Sequence, residues 1–311
     1  MQHAPASQRT CKINDVLFFK SGGEYIIQAR VRLGKIFAIN VTMGSMNQAA
    51  IEKALSGLPL GEIRYFDTIG STNDYAAYWA QHAPPDLSVV LADEQTAGRG
   101  RAGRQWLTPR GAALALSVIL HPDRIHPDAL SLMNGLGALA VSDALTYAYG
   151  LSPVIKWPND VLLNGVKVAG VLPESDWVGD RLQGVVLGMG INVSRAAIPP
   201  AGLVNFPAGC VEEHVGKAVV RGRLLREILS ALIVRIEHLG TPSFLEAWEA
   251  RLAFRLENVQ VIPSAGTPVE GRIAGLTCEG HLRLVVGMEE QVFSAGEIRL
   301  RPLPEGRVYG S

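Results

Sequence analysis

Hydrophobic and polar positions follow two main rhythms along this chain, and each rhythm predicts a different kind of element. Ala49, Ile51, Ala54 and Leu55 recur at helical spacing just after Met46. Ser71-Thr-Asn-Asp74 has the form of a capping box, in which side chains satisfy the open backbone N–H groups of a first turn, so a helix is expected from Thr72 to about Gln81. Residues 87–92 and 113–120 are apolar runs of strand length and predict buried strands. A long run of small and apolar residues, 127–149, predicts a helix with a break in feel at Gly135 and Gly137. Residues 153–156 predict a short strand. Val161-Leu-Leu and Val166-Lys-Val-Ala flank Asn164-Gly165, a hairpin signal because the turn needs positive φ at both central residues. Residues 187–193 predict another strand. Leu224, Leu225, Ile228, Leu229, Leu232, Ile233 and Ile236 fall on one apolar stripe of an amphipathic helix, and Thr241-Pro242 opens the next.

After about Leu256 the period changes to two. Val259-x-Val261, Gly271-x-Ile273, Leu282-x-Leu284-x-Val286 and Ile298-x-Leu300 read as short strands joined by glycine turns, for which a small β-barrel is the simplest closure. Residues 1–45 fit neither rhythm, apart from a weak β-like stretch at 25–41. The expected organisation is an unpatterned extension over 1–45, a larger domain over 46–255 and a small barrel over 256–311.

Charge changes the picture only locally. The 29 basic and 29 acidic residues cancel, so no broad field would draw the 311-residue molecule onto nucleic acid or a membrane, and neither is an expected partner. The extension holds six Lys/Arg against Asp15 and Glu24, which makes it +4 and the remainder −4. A functional basic arm and a mis-assigned start, with Met46 the true initiator, both fit. Cys11, Cys210 and Cys278 are distant and odd in number, which argues against a disulfide framework or a zinc pair and for a cytoplasmic setting. No uninterrupted apolar run approaches the roughly 20 residues of a membrane helix.

The chemistry concentrates at residues 95–106, Gln-Thr-Ala-Gly-Arg-Gly-Arg-Ala-Gly-Arg-Gln-Trp. Glycines permit close backbone approach and arginines offer planar forks of donors, so the loop reads as an anion clamp. A solvated basic turn is the plainer reading, but three arginines between two apolar strands are an odd choice for solubility alone. Gly98-x-Gly100-x-x-Gly103 formally satisfies the dinucleotide fingerprint. That fingerprint needs a helix opening at its last glycine, and Pro109 and Gly111 oppose one here. A second motif is Lys156-Trp-Pro-Asn-Asp160, whose lysine suits a carboxylate and a phosphate brought together. Lys167-x-Ala-Gly170 and Gly188-Met-Gly-Ile-Asn192 are read as tight turns at two strands.

In this order, Ser71-Thr-Asn73, the 95–106 loop, Lys156-Trp-Pro-Asn-Asp160, Lys167-Val-Ala-Gly170, Gly188-Met-Gly-Ile-Asn192 and Gly296-Glu-Ile-Arg-Leu300 resemble the biotin–protein ligases over about residues 60–303. The resemblance implies an α+β fold, with a catalytic domain like that of class II aminoacyl-tRNA synthetases, a mixed sheet with helices, followed by a Src-homology-3-like barrel. It implies that Ser71, Thr72, Asn73 and Gln95 contact biotin, and that Arg99, Gly100 and Arg101 hold its carboxylate end and the adenylate. Lys156 would hold the carboxylate and bridging phosphate, which makes Lys156 and Arg101 the expected catalytic pair. Arg104, Trp106, Asn159 and Asn192 would serve the nucleotide. Capping remains open for Ser71, and core packing for Trp106. Pro173 precedes Glu174 where the family commonly carries an apolar residue, which leaves the end of that strand open.

The implied reaction uses biotin and ATP, with magnesium held mainly by phosphate oxygens and no metal ligand expected from the chain. The product acylates a lysine of a biotin carboxyl carrier protein or domain. A monomer or a homodimer is expected. A lipoate or octanoate ligase or transferase shares the implied fold. A biotin-sensing repressor is the other rival, and the 45 unpatterned residues contain no recognition helix for it.

Overall fold

The computed structural model describes residues 46–263 and 267–294, together with the strand backbones of 16–21, 24–29 and 298–302. The chain divides into two compact units, Met1–Thr42 and Met43–Ser311. In the first, β1 (Val16–Ser21) pairs antiparallel with β2 (Glu24–Ala29). Pattern alone assigns the run at 16–19 to no element, and here it forms a strand. The rest of the expected β-like stretch, beyond Ala29, lies outside the described residues, as do Gly296 and Glu297 of the last motif.

In the second unit, α1 (Gln48–Leu55) begins where the Asn47 side chain accepts from the Ala50 N–H, and it buries Ile51, Ala54 and Leu55. Then follow β3 (Ile63–Phe66), α2 (Thr72–Ala80), β4 (Ser88–Ala92), β5 (Ala113–Leu120) and α3 (Met133–Tyr149). Next come β6 (Val154–Lys156), β7 (Asp160–Leu163), β8 (Val166–Val178), β9 (Arg181–Asn192), α4 (Val211–Val215), α5 (Arg221–Ile236) and α6 (Pro242–Glu249). One seven-stranded mixed sheet runs in the order β3-β4-β5-β9-β8-β7-β6, and only the β3–β4 pair is parallel.

Every residue of β4 and β5 is buried, because both faces of the sheet are covered. Val89, Leu91, Leu114 and Leu116 face the main core with α3 and α5. Val90 and Ile119 point the other way, onto Ala76 and Trp79 of α2. Burying each such side chain stabilises the fold by about 1.5–3 kcal/mol relative to exposure.

Gly135 and Gly137 do not break the long helix. A Cβ at Gly135 would collide with the Trp248 ring, and one at Gly137 would stand 2.6 Å from Val171 Cγ1, so these glycines let α3 approach α6 and β8. With the preceding 3-10 turn, residues 127–149 make a 23-residue helix apolar enough by composition to cross a membrane. Asn134 and Asp143 interrupt its apolar run. Of its most apolar window 78% is buried inside the protein, so this is a core helix.

Both edges of the large sheet are occupied. At β3, the Gln48 Nε2 donates to the Ile63 carbonyl at 3.0 Å while its Oε1 accepts from the Tyr65 N–H at 3.0 Å. At β6, the Ile155 N–H donates to the Arg251 carbonyl and the Ala253 N–H to the Ile155 carbonyl.

The last described elements form an antiparallel sheet of β10 (Asn258–Pro263), β11 (Val269–Leu276), β12 (Leu282–Val286), β13 (Glu289–Phe293) and β14 (Ile298–Pro302), in the order β13-β12-β11-β10-β14. Its inward residues Val259, Val261, Ile273, Leu282 and Leu284 join the main core. The buried Trp157 indole donates to the Gly280 carbonyl at 3.0 Å, which anchors the turn after β6 to this sheet.

Candidate active site

A cavity of about 370 Å³ opens on the α2 side of the large sheet. All twelve residues singled out in the sequence line it: Ser71, Thr72, Asn73, Gln95, Arg99, Gly100, Arg101, Arg104, Trp106, Lys156, Asn159 and Asn192. They arrive from α2, the loop between β4 and β5, the β6–β7 turn and the end of β9.

At one end the groups are neutral. Ser71 caps α2 by accepting from the Asp74 N–H. The Gln95 Oε1 accepts from the Thr72 N–H at 2.8 Å and from the Thr72 hydroxyl at 3.1 Å, while its Nε2 donates to the Thr108 hydroxyl. Ser117, buried on β5, places its hydroxyl 2.9 Å from the Thr72 Oγ1 and 2.6 Å from the Asn73 Oδ1. Asn73 uses both amide hydrogens, one on the Leu172 carbonyl at 3.1 Å and one on the Glu174 carboxylate at 2.7 Å. Asn73 is thus committed to the protein on both sides of its amide, and it shapes this end more than it offers donors to a ligand. Ala115, Leu116, Val171, Leu172 and Met189 supply apolar wall.

The glycine motifs have a different role from the one expected. Gly170 and Gly190 are paired with each other inside β8 and β9, and Gly188 lies in β9 too, so none of the three forms a turn. Their service is close approach. A Cβ at Gly188 would collide with the Asn73 amide, and one at Gly190 with the Trp106 indole, which also lies over Gly170. Trp106 is half-buried with its Nε1 unpartnered, so it is a cavity wall rather than a core aromatic. β8 continues through Pro173 to Val178. Its pairing with β7 stops at Gly170, and a proline is tolerated where one side of a strand has no partner.

The arginine–glycine loop is a narrow hairpin. The Gly100 N–H donates to the Arg104 carbonyl at 2.7 Å and the Trp106 N–H to the Gly98 carbonyl at 2.9 Å, with positive φ at Ala102 and Gly103 turning the tip. Arg104 is exposed and its Nε donates to the Arg101 carbonyl. Arg101 points inward to the Asn159 Oδ1 at 3.3 Å. Burial lowers the Arg101 pKa from its ordinary value, attraction to Asp160 offsets part of this, and Arg104 adds to it. Asn159 and Asn192 each donate to a backbone carbonyl, of Val171 and Gly209.

The other end is charged. Lys156 and Asp160, 6% and 5% exposed, form an ion pair at 3.2 Å, and Lys167 meets the second Asp160 oxygen at 2.5 Å. Burial alone would raise the Asp160 pKa, but Lys167 and then Lys156 outweigh it and hold the carboxyl at about 2. The Lys167 ammonium also stands 5.4 Å from the Trp106 ring centre, and that of Lys156 stands 5.0 Å from the ring centre of Phe206. Sequence reasoning quoted Lys167, Asp160 and Glu174 within motifs but gave them no role, and it did not single out Ser117. A basic residue in the Lys-x-Ala-Gly stretch was the available signal for Lys167. Among the described residues, no group of three or more His, Cys, Asp or Glu side chains converges as a metal site.

Comparison with known proteins places this geometry. Residues 65–192 match the biotin/lipoate A/B protein ligase family. A biotin–[acetyl-CoA-carboxylase] ligase of Paracoccus denitrificans is 37% identical over 218 residues, covering 67% of this chain and 88% of that protein. The bifunctional ligase/repressor BirA of Bacillus subtilis is 31% identical over 245 residues, covering 78% and 75%. The structure of the biotin protein ligase from Aquifex aeolicus in complex with biotin and ATP is similar at a TM-score of 0.67 and 28% identity, covering 78% of this chain and 99% of that one. The mixed sheet, the C-terminal antiparallel sheet and the sequence all agree, and the chain belongs to the biotin protein ligases, a family of enzymes.

Proposed function

We propose that this chain forms biotinyl-5'-adenylate from biotin and ATP and transfers the biotin to the ε-amine of a lysine on a biotin carboxyl carrier protein or domain. One observation carries the reading. A single cavity joins an apolar, hydrogen-bonding end to an end where Arg101, Lys156 and Lys167 gather around one buried carboxylate. Biotin has that same division between a ring system and an acid tail. In this reading the larger sheet and its helices, 46–255, are the catalytic core of the class II aminoacyl-tRNA synthetase type, and 256–311 are a Src-homology-3-like barrel.

The chemistry follows from the charges. A carboxylate oxygen of biotin attacks the α-phosphorus of ATP and pyrophosphate leaves, an encounter of two anions that water does not favour. Arg101, Lys156 and Lys167, placed around the reacting carboxylate and phosphate, offset the repulsion and stabilise the charge concentrated in the transition state. The acceptor amine then attacks the acyl carbon and AMP departs.

The two acids lining or bordering the cavity, Asp160 and Glu174, are both committed to cations, so the residues present do not fit a protein-held metal. Magnesium would arrive with the triphosphate as part of the nucleotide.

The test is to incubate the protein with ATP and, in turn, labelled biotin, lipoate and octanoate, following pyrophosphate release and label transfer to a carrier domain. Biotin should give both signals. Turnover with lipoate or octanoate and none with biotin would replace this reading by the lipoyl one.

A further inference from the structure

We infer that Glu174 is a positioning residue for acid-substrate binding, because its one carboxylate holds Arg99 of the arginine–glycine loop and Asn73 of α2 at once. Arg99 meets it as a fork, Nη1 to Oε1 at 2.7 Å and Nη2 to Oε2 at 2.8 Å. The second Nη2 hydrogen goes to the Asp74 Oδ1 at 2.5 Å. Asn73 donates to the same Glu174 Oε2 at 2.7 Å. Three elements distant in sequence, α2, the loop and β8, therefore meet at this carboxylate, beside the neutral end of the cavity. The pairing with Glu174 also raises the Arg99 pKa.

The donor count gives the pairing its consequence. Glu174 and Asp74 take both Nη2 hydrogens and one from Nη1, so the fork that would otherwise grip a ligand carboxylate is spent on the protein. Arg99 was expected to hold the acid tail of biotin. Here it ties down the base of the loop that delivers Arg101, and the tail is met by Arg101 and the two lysines. Glu174 thus acts through Arg99 and Asn73 and touches no reacting atom.

This inference rests on the biotin-ligase reading for its kinetic arm, and a second arm is independent of it. Glu174→Gln keeps the size and an acceptor for Asn73 but removes the charge that holds Arg99. Because Arg99 and Glu174 are partly exposed, the pair is a modest one. The variant should raise the KM for biotin about three- to fivefold, with kcat and the KM for ATP unmoved. In the ligand-free protein, amide exchange at residues 98–105 should quicken by a similar factor. Arg99→Ala with Glu174→Gln should be no worse than Arg99→Ala alone, since both break one contact.

Faster exchange with an unchanged biotin KM would make Glu174 merely structural and overturn the proposal, as would an unchanged exchange rate. A fall in biotin KM would mean that Glu174 competes with the substrate for Arg99, which also overturns it. If the unaltered protein makes no biotinyl-adenylate, the functional reading is what fails, and the exchange arm alone then decides the role of Glu174.

Discussion

At the Ser71 end of the cavity neutral side chains form a hydrogen-bond network that ends on the Glu174 carboxylate, whereas at the Lys156 end two lysines share one buried carboxylate and Arg101 stands close to it. The difference lies in what each end leaves unfinished. Satisfied neutral groups fix a shape and ask little of a ligand beyond fit. Cations already held in place favour an anion brought between them. A substrate that is apolar at one end and acidic at the other is selected by shape first and by charge second.

The sharpest way to break this contrast is at the lysines. Lys156→Ala or Lys167→Ala should each slow adenylate formation by about 10²- to 10³-fold, read as pyrophosphate release, with the circular dichroism spectrum retained. A folded variant releasing pyrophosphate at a near-normal rate would remove the charged end from the chemistry.

Next in size is the counter-ion. Asp160→Asn removes the carboxylate shared by the buried Lys156 and the partly exposed Lys167 and should cost about 3–5 kcal/mol in urea unfolding. The folded pKa of about 2 lies below the ordinary 3.8, so the Asp160 contribution is complete above pH 4 and is lost as pH falls toward 2. The unaltered protein should lose stability across that window, and the Asn variant should lack this part of the slope.

The neutral end should respond more gently. Gly188→Ala drives a methyl into the Asn73 amide and, at about 1–3 kcal/mol for overpacking, should raise the KM for biotin roughly tenfold while leaving that for ATP in place. A matched rise in both constants would show that the two ends are not separable. Smallest of all, Ser117→Ala removes one hydroxyl from a network that has other members. About 1 kcal/mol should be lost in thermal unfolding.

The elements that sequence reading found are those whose burial is uniform or strictly periodic. β4 and β5 are buried at every position, α5 buries the stripe of leucines and isoleucines, and Asn164-Gly165 turns with positive φ at both residues. β3 and β13 escaped for the opposite reason. The residues of β3 are all half-buried, and those of β13 mostly exposed, so neither carries a rhythm. In the site, side chains announced by unusual local composition were legible, above all the arginines among glycines. Ser117 and Glu174 were not, since each acquires its role from partners 44 to 101 residues away, and nothing local distinguishes them from other strand-borne polar residues. Gly170, Gly188 and Gly190 show a related limit. A glycine in sequence signals an unusual need, but whether that need is a turn or a ring laid against the backbone depends on what packs there.

The side-chain amide of Gln48 stands where a further strand would lie, giving β3 one donor and one acceptor in the spacing of a neighbouring backbone. Bare sheet edges are templates on which a second polypeptide can add itself, and proteins commonly blunt them with charge, proline or a covering segment. Here a single residue of a short helix serves as the cover, while residues 251–253 do the same at the opposite margin. The cover at this margin therefore depends on α1 remaining docked. Loosening that helix would bare the Ile63 carbonyl and the Tyr65 N–H at the sheet margin.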